Sequence, residues 1–306
     1  MIAAEVLAIL ETRELGMGGS MVKALVRLAR PRDWAKSVFI VLPLPFALRA
    51  GATIEPVGFA LGVVAFCITA SGVYALNDLR DAESDRAHPQ KRHRPIASGA
   101  VPPKVALPYG VALLVAGLAL GFASGHRAVG DLLLVYVALN AVYTLGGKNV
   151  PLLDVFLLAA GFLLRVLVGC ALVDAPPSTW LLICSFWVAL FLSFAKRRAD
   201  LARGKGAEER PARLGYNAGF LDQAMGISVG ITLLSYSLYS QEAKVFLPGR
   251  ELAGLPFVAF GLLHYLRLAS LNQVMVSPVE MAYGSRTLQV CALGWLLATA
   301  WSLGAL

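Results

Sequence analysis

The sequence predicts an all-α membrane protein of nine transmembrane helices, and three observations predict it. Of its 306 residues, 58% are hydrophobic and only 15% charged, against roughly 25% charged in a typical soluble domain. The apolar residues gather in runs close to the ~20 residues that cross a bilayer as a helix. The Lys and Arg sit beside those runs, overwhelmingly on one side of them.

In chain order the runs lie near 35–50, 56–77, 104–124, 130–146, 151–173, 177–196, 222–241, 254–271 and 287–304. An N-terminus in the cytosol places loops 78–103, 147–150, 197–221 and 272–286 inside. Segments 51–55, 125–129, 174–176 and 242–253 and the C-terminus then lie outside. Of the 27 Lys and Arg, only Arg49, Arg127, Lys244 and Arg250 fall outside and Arg165 within a helix; the reverse orientation would violate the positive-inside bias. Residues 1–16 carry Glu5, Glu11 and Glu14 and lack the basic start of a cleaved signal. Residues 21–30, MVKALVRLAR, set Lys23, Arg27 and Arg30 among apolar residues at helical spacing, which predicts a helix on the cytosolic surface. The chain therefore reads as an N-terminal extension over 1–30 and a transmembrane domain over 31–306, without an internal repeat or soluble domain.

The net charge of +8 points to anionic headgroups and phosphorylated substrates rather than nucleic acid, because the cations flank apolar runs. Cys67, Cys170, Cys184 and Cys291 lie singly inside apolar stretches, with no CxxC pair to suggest zinc or a disulfide.

Residues 77–99 read NDLRDAESDRAHPQKRHRPIASG. Asp78, Asp81 and Asp85 recur at i, i+3 and i+7, with Asn77 four residues before Asp81, a spacing that puts all four on one helical face. Stacked carboxylates repel one another and call for a cation. An all-oxygen set suits Mg²⁺, with Mn²⁺ the other hard cation, and Mg²⁺ keeps positions open for phosphate oxygens. Lys91, Arg92, His93 and Arg94 follow between Pro89 and Pro95. Metal on one side and Lys91 and Arg94 on the other fit a diphosphate. The plainer alternative is a solvated, salt-bridged loop; the order of the residues favours the site.

This segment resembles the first signature of the UbiA superfamily of membrane prenyltransferases, in the form found in the decaprenyl-phosphate phosphoribosyltransferase branch and its bacterial relatives. The resemblance extends through RPRDWAKSVFIVLPL at 30–44, YTLGGKNVPLLDVFLLAAGFLLRVLVG at 143–169, LFLSFAKRRADL at 190–201 and RPARLGYNAGFLDQ at 210–223. It implies a nine-helix bundle around a central cavity, an active site under a cytosolic cap and a lateral opening for a lipid tail. Asn77, Asp78, Asp81 and Asp85 would then be both the metal ligands and the catalytic set.

The remaining charged groups are weighed against that resemblance. UbiA enzymes that use prenyl diphosphates carry a second aspartate-rich motif after the sixth helix. Residues 197–221 offer only Asp200, Glu208 and Glu209 without a DxxxD, whereas Lys196, Arg197 and Arg198 suit a phosphate bound without metal. The plainer reading makes them topological anchors. Arg165 lies mid-helix, where an unpaired cation is costly, roughly three turns from Asp154 on the same face; a structural interhelix salt bridge competes with a phosphate contact. Tyr143 and Lys148 occupy a position resembling the family's substrate-contact turn. Arg32 and Lys36 flank Trp34, as interface anchors or as lipid-phosphate ligands. His126 and His264 are isolated. Before the last helix, Ser277 and Ser285 stand where the family usually has acidic residues, while Glu280 and Arg286 remain.

The resemblance thus implies Mg²⁺-dependent transfer of a 5-phosphoribosyl group from phosphoribosyl diphosphate to a polyprenyl phosphate. The alternative is an aromatic prenyltransferase using a prenyl diphosphate; a non-enzymatic phosphate or lipid carrier is a third reading. Expected partners are the two substrates and the bilayer, with a second copy of the chain a further candidate. The expected location is the bacterial plasma membrane, with the N-terminus and active site cytosolic.

Overall fold

Inside a bilayer each backbone polar group must be bonded within the protein, so apolar runs become helices. The structure, a computed structural model, describes residues 20–202, 215–271, 281 and 284–306, and among these it is helical with no strand. Residues 1–19, Glu208, Glu209, Ser277 and Glu280 lie outside the described residues.

Helix α1 spans 20–29. A 3₁₀ segment, Pro31–Ser37, leads into α2 (Val38–Val41) and α3 (Leu44–Arg49). Then follow α4 (Pro56–Arg80), α5 (Ala82–Ala87), α6 (Pro103–Ala123), α7 (Arg127–Leu145), α8 (Leu153–Leu172), α9 (Thr179–Ala202), α10 (Ala218–Glu242), α11 (Leu255–Ser270) and α12 (Arg286–Ser302).

Local chemistry sets several starts. Glu55 caps α4, accepting from the Val57 amide at 3.0 Å and from that of Gly58. Asn217 caps α10 by accepting from the Phe220 amide at 2.8 Å. Ser285 does the same for α12 from Leu288 at 3.4 Å, the role its oxygen plays where the family's acidic residue was expected.

Six helices are long and apolar enough to cross a membrane: α4, α6, α7, α8, α9 and α10. In α6 and α7 only 22% of the apolar window is buried within the protein, so most of that surface faces outward, as lipid contact requires. The count of nine is not reproduced among the described residues. The run at 35–50 is broken: Pro43 and Pro45 withdraw two backbone donors and leave α2 and α3 at 4 and 6 residues. Helices α11 and α12 have 16 and 17 residues, about 24–26 Å at 1.5 Å per residue, short of the roughly 30 Å hydrocarbon core.

The residues divide into two compact units, Met1–Ser37 with Ala60–Leu133, and Val38–Phe59 with Leu134–Leu306. In the first, α1 is amphipathic as expected: Ala24 and Leu28 are buried while Val22, Lys23, Val26 and Arg27 are exposed. The Tyr109 hydroxyl on α6 donates to the Leu25 carbonyl at 3.2 Å. Helices α4 and α6 meet at glycines: a Cβ on Gly72 would lie 2.9 Å from both the Gly110 carbonyl oxygen and the Leu114 amide nitrogen. In the second unit α8, α9 and α10 pack around Phe191, Ala195, Tyr216, Leu221, Met225 and Tyr265. Gly169 on α8 admits the backbone of α2, since a Cβ there would strike the Ile40 carbonyl.

Gly72→Ala should lower the thermal midpoint of the detergent-solubilised protein, costing about 1–3 kcal/mol through overpacking. Gly226→Ala on α10, with nothing within 4 Å of its Cβ, should leave the midpoint unchanged or raised. Equal responses of the two variants would remove the close α4–α6 crossing.

Candidate functional site

The acidic segment straddles the end of a membrane helix. Helix α4 stops at Arg80 and Asp81 opens α5 with φ −88° and ψ 2°, so the acidic residues are shared between two helices. The i+4 ladder nevertheless runs through the break: Asp81 N donates to the Asn77 carbonyl at 2.9 Å and Asp85 N to the Asp81 carbonyl at 2.8 Å. The common face therefore survives, with Asp78 and Asp85 buried and Asn77 and Asp81 half-buried.

The cation that these carboxylates call for is met by guanidinium. One Arg94 nitrogen, Nη1, reaches both Asp78 Oδ1 at 2.9 Å and Asp85 Oδ2 at 2.7 Å. Arg30 pairs with the same Asp78 oxygen at 2.5 Å, and Lys91 lies 4.0 Å from Asp85. Burial pulls the Arg30 pKa down, but the Asp78 charge, the hydrogen bond to it and the Asp33 charge together raise it, and the guanidinium is held as a cation. The His88 imidazole shapes the loop that carries these cations, its Nδ1 accepting from the Gln90 and Lys91 amides at 3.1 and 3.2 Å. Sequence reading placed Arg30 on the membrane surface; its partner is 48 residues away, and the only signal was its lead position in the RPRDW segment.

Among the described residues no three His, Cys, Asp or Glu side chains converge as a ready-made metal centre. The donor chemistry does fit a hard cation. Asp78 Oδ2 is buried and has no hydrogen-bond partner among the described residues, and the set is oxygen throughout. Asn77, Asp78, Asp81 and Asp85 are the residues that would hold it.

Lys36, expected on phosphate, pairs with Asp33 at 2.6 Å and lies over the Tyr74 ring at 5.7 Å. Trp34 is more than a surface anchor, because its indole N–H donates to Ser71 Oγ at 2.9 Å.

In the second unit Asp154 accepts from Arg197 Nε at 2.6 Å through one oxygen and from the Tyr216 hydroxyl at 2.6 Å through the other. Arg165 donates to the Gly161 carbonyl one turn back at 2.7 Å and lies over Phe162 and Tyr136 at 5.3 and 5.4 Å. Of the KRR cluster, Lys196 is exposed while Arg197 and Arg198 are buried. Arg197 also meets Asp200 at 3.4 Å, and Arg198 meets Asp222 at 3.0 Å. Tyr143 is half-buried in the last turn of α7. Lys148 is half-buried in the 3₁₀ turn Gly147–Asn149.

Tyr216, which sequence reading passed over, ties its own segment to the start of α8. It donates to Asp154 and accepts from the Leu152 amide at 2.7 Å, at a residue held in the left-handed region at φ 67°. Burial, then the bond to Asp154, raises its phenol pKa, so it remains a neutral donor. Gly215 lies against the Pro151 ring with no room for a Cβ.

The model of the UbiA prenyltransferase family matches residues 37–276. The decaprenyl-phosphate phosphoribosyltransferase of Corynebacterium glutamicum is 33% identical over 92% of this chain and 85% of its own length. That of Mycolicibacterium smegmatis is 30% identical over 90% and 91%. In fold, a UbiA homologue from Archaeoglobus fulgidus bound to GPP and Mg²⁺ matches with a TM-score of 0.68 at 20% identity, over 92% of this chain and 98% of that one.

Arg94→Ala removes the cation shared by two buried carboxylates. It should destabilise the protein by about 1–3 kcal/mol, less than the 3–5 of a fully buried broken pair because Arg30 and Lys91 remain. Thermal melting in detergent with EDTA reads this, and a midpoint equal to wild type would show that Arg94 is not what holds the carboxylates.

Proposed function

Because the chain belongs to the UbiA prenyltransferase family, we propose that it is a divalent-cation-dependent membrane enzyme transferring the 5-phosphoribosyl group of phosphoribosyl diphosphate to a polyprenyl phosphate, with release of diphosphate. The observation that carries this reading is the pair of charged clusters at helix ends. One is a carboxylate set with an orphaned Asp78 oxygen at the end of α4. The other, at the end of α9, is built on Arg197 and Arg198, where a prenyl-diphosphate enzyme of this family would carry aspartates. The names of the corynebacterial and mycobacterial relatives support the same donor and acceptor.

In chemical terms, the bond from ribose C1 to the diphosphate oxygen breaks and a bond from the lipid phosphate oxygen to C1 forms. Asn77, Asp78, Asp81 and Asp85 would hold Mg²⁺, which would neutralise the charge that grows on the departing diphosphate. Arg94 and Lys91 take the diphosphate oxygens that face away from the carboxylates. The ribose 5-phosphate and the lipid phosphate are assigned to Lys36, Lys148, Arg165, Lys196, Arg197 and Arg198, whose fixed positive charge favours phosphate, with the Tyr143 hydroxyl as a neutral donor. The acceptor oxygen is already anionic at neutral pH, so no proton has to be removed before it attacks, and the site needs no general base. Its work is positioning and charge stabilisation. The broken 38–49 segment, α11 and α12 complete nine membrane passages, with the N-terminus and site on the cytosolic side of a bacterial plasma membrane.

The aromatic-prenyltransferase alternative draws on the GPP-bound fold neighbour, and the cationic end of α9 speaks against it. Two experiments decide. Asp78→Asn, Asp81→Asn and Asp85→Asn should each reduce turnover by roughly tenfold to a hundredfold, as losing one charged contact of about 1.5–3 kcal/mol implies. Wild-type activity should vanish in EDTA and return with Mg²⁺ or Mn²⁺. Full activity in excess chelator, or in two of the three variants at saturating Mg²⁺, overturns the metal assignment.

The donor is read separately by thermal protection. Phosphoribosyl diphosphate with Mg²⁺ should raise the melting midpoint more than geranyl diphosphate does. The reverse order makes the prenyl diphosphate the donor.

A further inference from the structure

Arg197 presents a geometric puzzle. Its side chain is 2% exposed, its Nε is committed to Asp154 and its Nη1 to Asp200. Nη2 is buried and has no hydrogen-bond partner among the described residues. A guanidinium can donate five hydrogen bonds in a fixed planar fork, and a buried N–H without an acceptor is a disfavoured state that native proteins seldom leave standing. The plane of that fork is set by Asp154, whose side chain is fully buried. Asp154 cannot turn, because its second oxygen is taken by Tyr216 at 2.6 Å. Tyr216 cannot turn either, because its own oxygen accepts from Leu152 at 2.7 Å. The chain of contacts, Leu152 to Tyr216 to Asp154 to Arg197, therefore fixes where the remaining N–H groups point.

We infer that Tyr216 and Asp154 are positioning residues that aim Arg197 Nη2 at a phosphate monoester group of a substrate. Neither residue touches the substrate; both act through Arg197. The inference rests on the reading of Arg197 as a phosphate ligand and adds the device that orients it. A guanidinium anchored on one edge by a carboxylate keeps its other edge for an oxyanion, the bidentate geometry for which arginine surpasses lysine. Because the hydroxyl of Tyr216 stays protonated, the device holds one hydrogen-bond direction throughout.

The chemistry recognised is a monoester dianion, which either ribose 5-phosphate or a prenyl monophosphate carries, and the test has an arm for each. The full-length protein in detergent and EDTA is melted against rising ribose 5-phosphate or geranyl phosphate, and the concentration giving half-maximal protection is measured. Wild type should be protected by at least one of them. Tyr216→Phe should raise that concentration roughly tenfold, and Arg197→Lys roughly tenfold to a hundredfold, the range expected for a hydrogen bond to a charged group. The double variant should behave as Arg197→Lys alone, because the phenol has nothing left to aim. Whichever ligand shows this pattern is the one Arg197 holds. If Tyr216→Phe melts too low to be read, Asp154→Asn replaces it in the same cycle.

Additive effects in the cycle, an unchanged half-protection in Tyr216→Phe, or no protection of wild type by either ligand overturns the inference. The last result would mean that Nη2 serves ordered water only. The donor question remains separable: failure of phosphoribosyl transfer with the cycle intact removes the donor assignment and leaves the positioning role standing.

Discussion

An ionised carboxylate withdrawn from water needs a fixed cation, and that requirement organises the charged parts of this chain. Asp78, Asp85 and Asp154 have side chains 3%, 3% and 0% exposed, and a guanidinium reaches each of them. Arginine suits the task better than lysine because its planar fork serves two acceptors at once and its charge persists under burial. Arg94 uses one nitrogen to join Asp78 to Asp85 across the α4–α5 break, while Arg197 joins α8 to the end of α9. Remove the pairs and the apolar helices would still cross a membrane, but the loops at their ends would have nothing to fix them.

That division explains what was legible in the sequence. Apolar runs announce six spans, because length and hydropathy suffice for the bilayer. The Asp78–Asp85 pattern was equally plain, since residues at i, i+3 and i+7 share a face whatever surrounds them. The break in the run at 35–50 was not legible in hydropathy, which does not register Pro43 and Pro45. The partners of the two charges on α8 were less legible: Arg165 finds an acceptor within a turn at Gly161. Asp154 finds its donors 43 and 62 residues on, and no periodicity carries such distances.

The chemistry proposed for the two clusters shares one economy. A transfer between an activated sugar diphosphate and a phosphate acceptor moves charge but no obligatory proton. Side chains with permanent charge suffice, and histidine, the usual proton carrier near neutrality, has no such duty. His88 illustrates this: its imidazole nitrogen accepts two backbone N–H groups and shapes a turn.

The wide spacing between Asp154 and Arg197 has a consequence for how the protein is made. Asp154 leaves the ribosome 43 residues ahead of Arg197, a delay of roughly 2–9 s at a synthesis rate of 5–20 residues per second. Over that interval the carboxylate has no guanidinium. Its place in the first turn of α8 lets it wait in water at the membrane edge. Arg165, midway along the same helix, could not wait there, but Tyr136, Gly161 and Phe162 all emerge before it does. A charge deep in the helix takes its partners from chain already made; a charge at the rim tolerates the queue. Biogenesis therefore imposes an order on these side chains that the finished fold no longer displays.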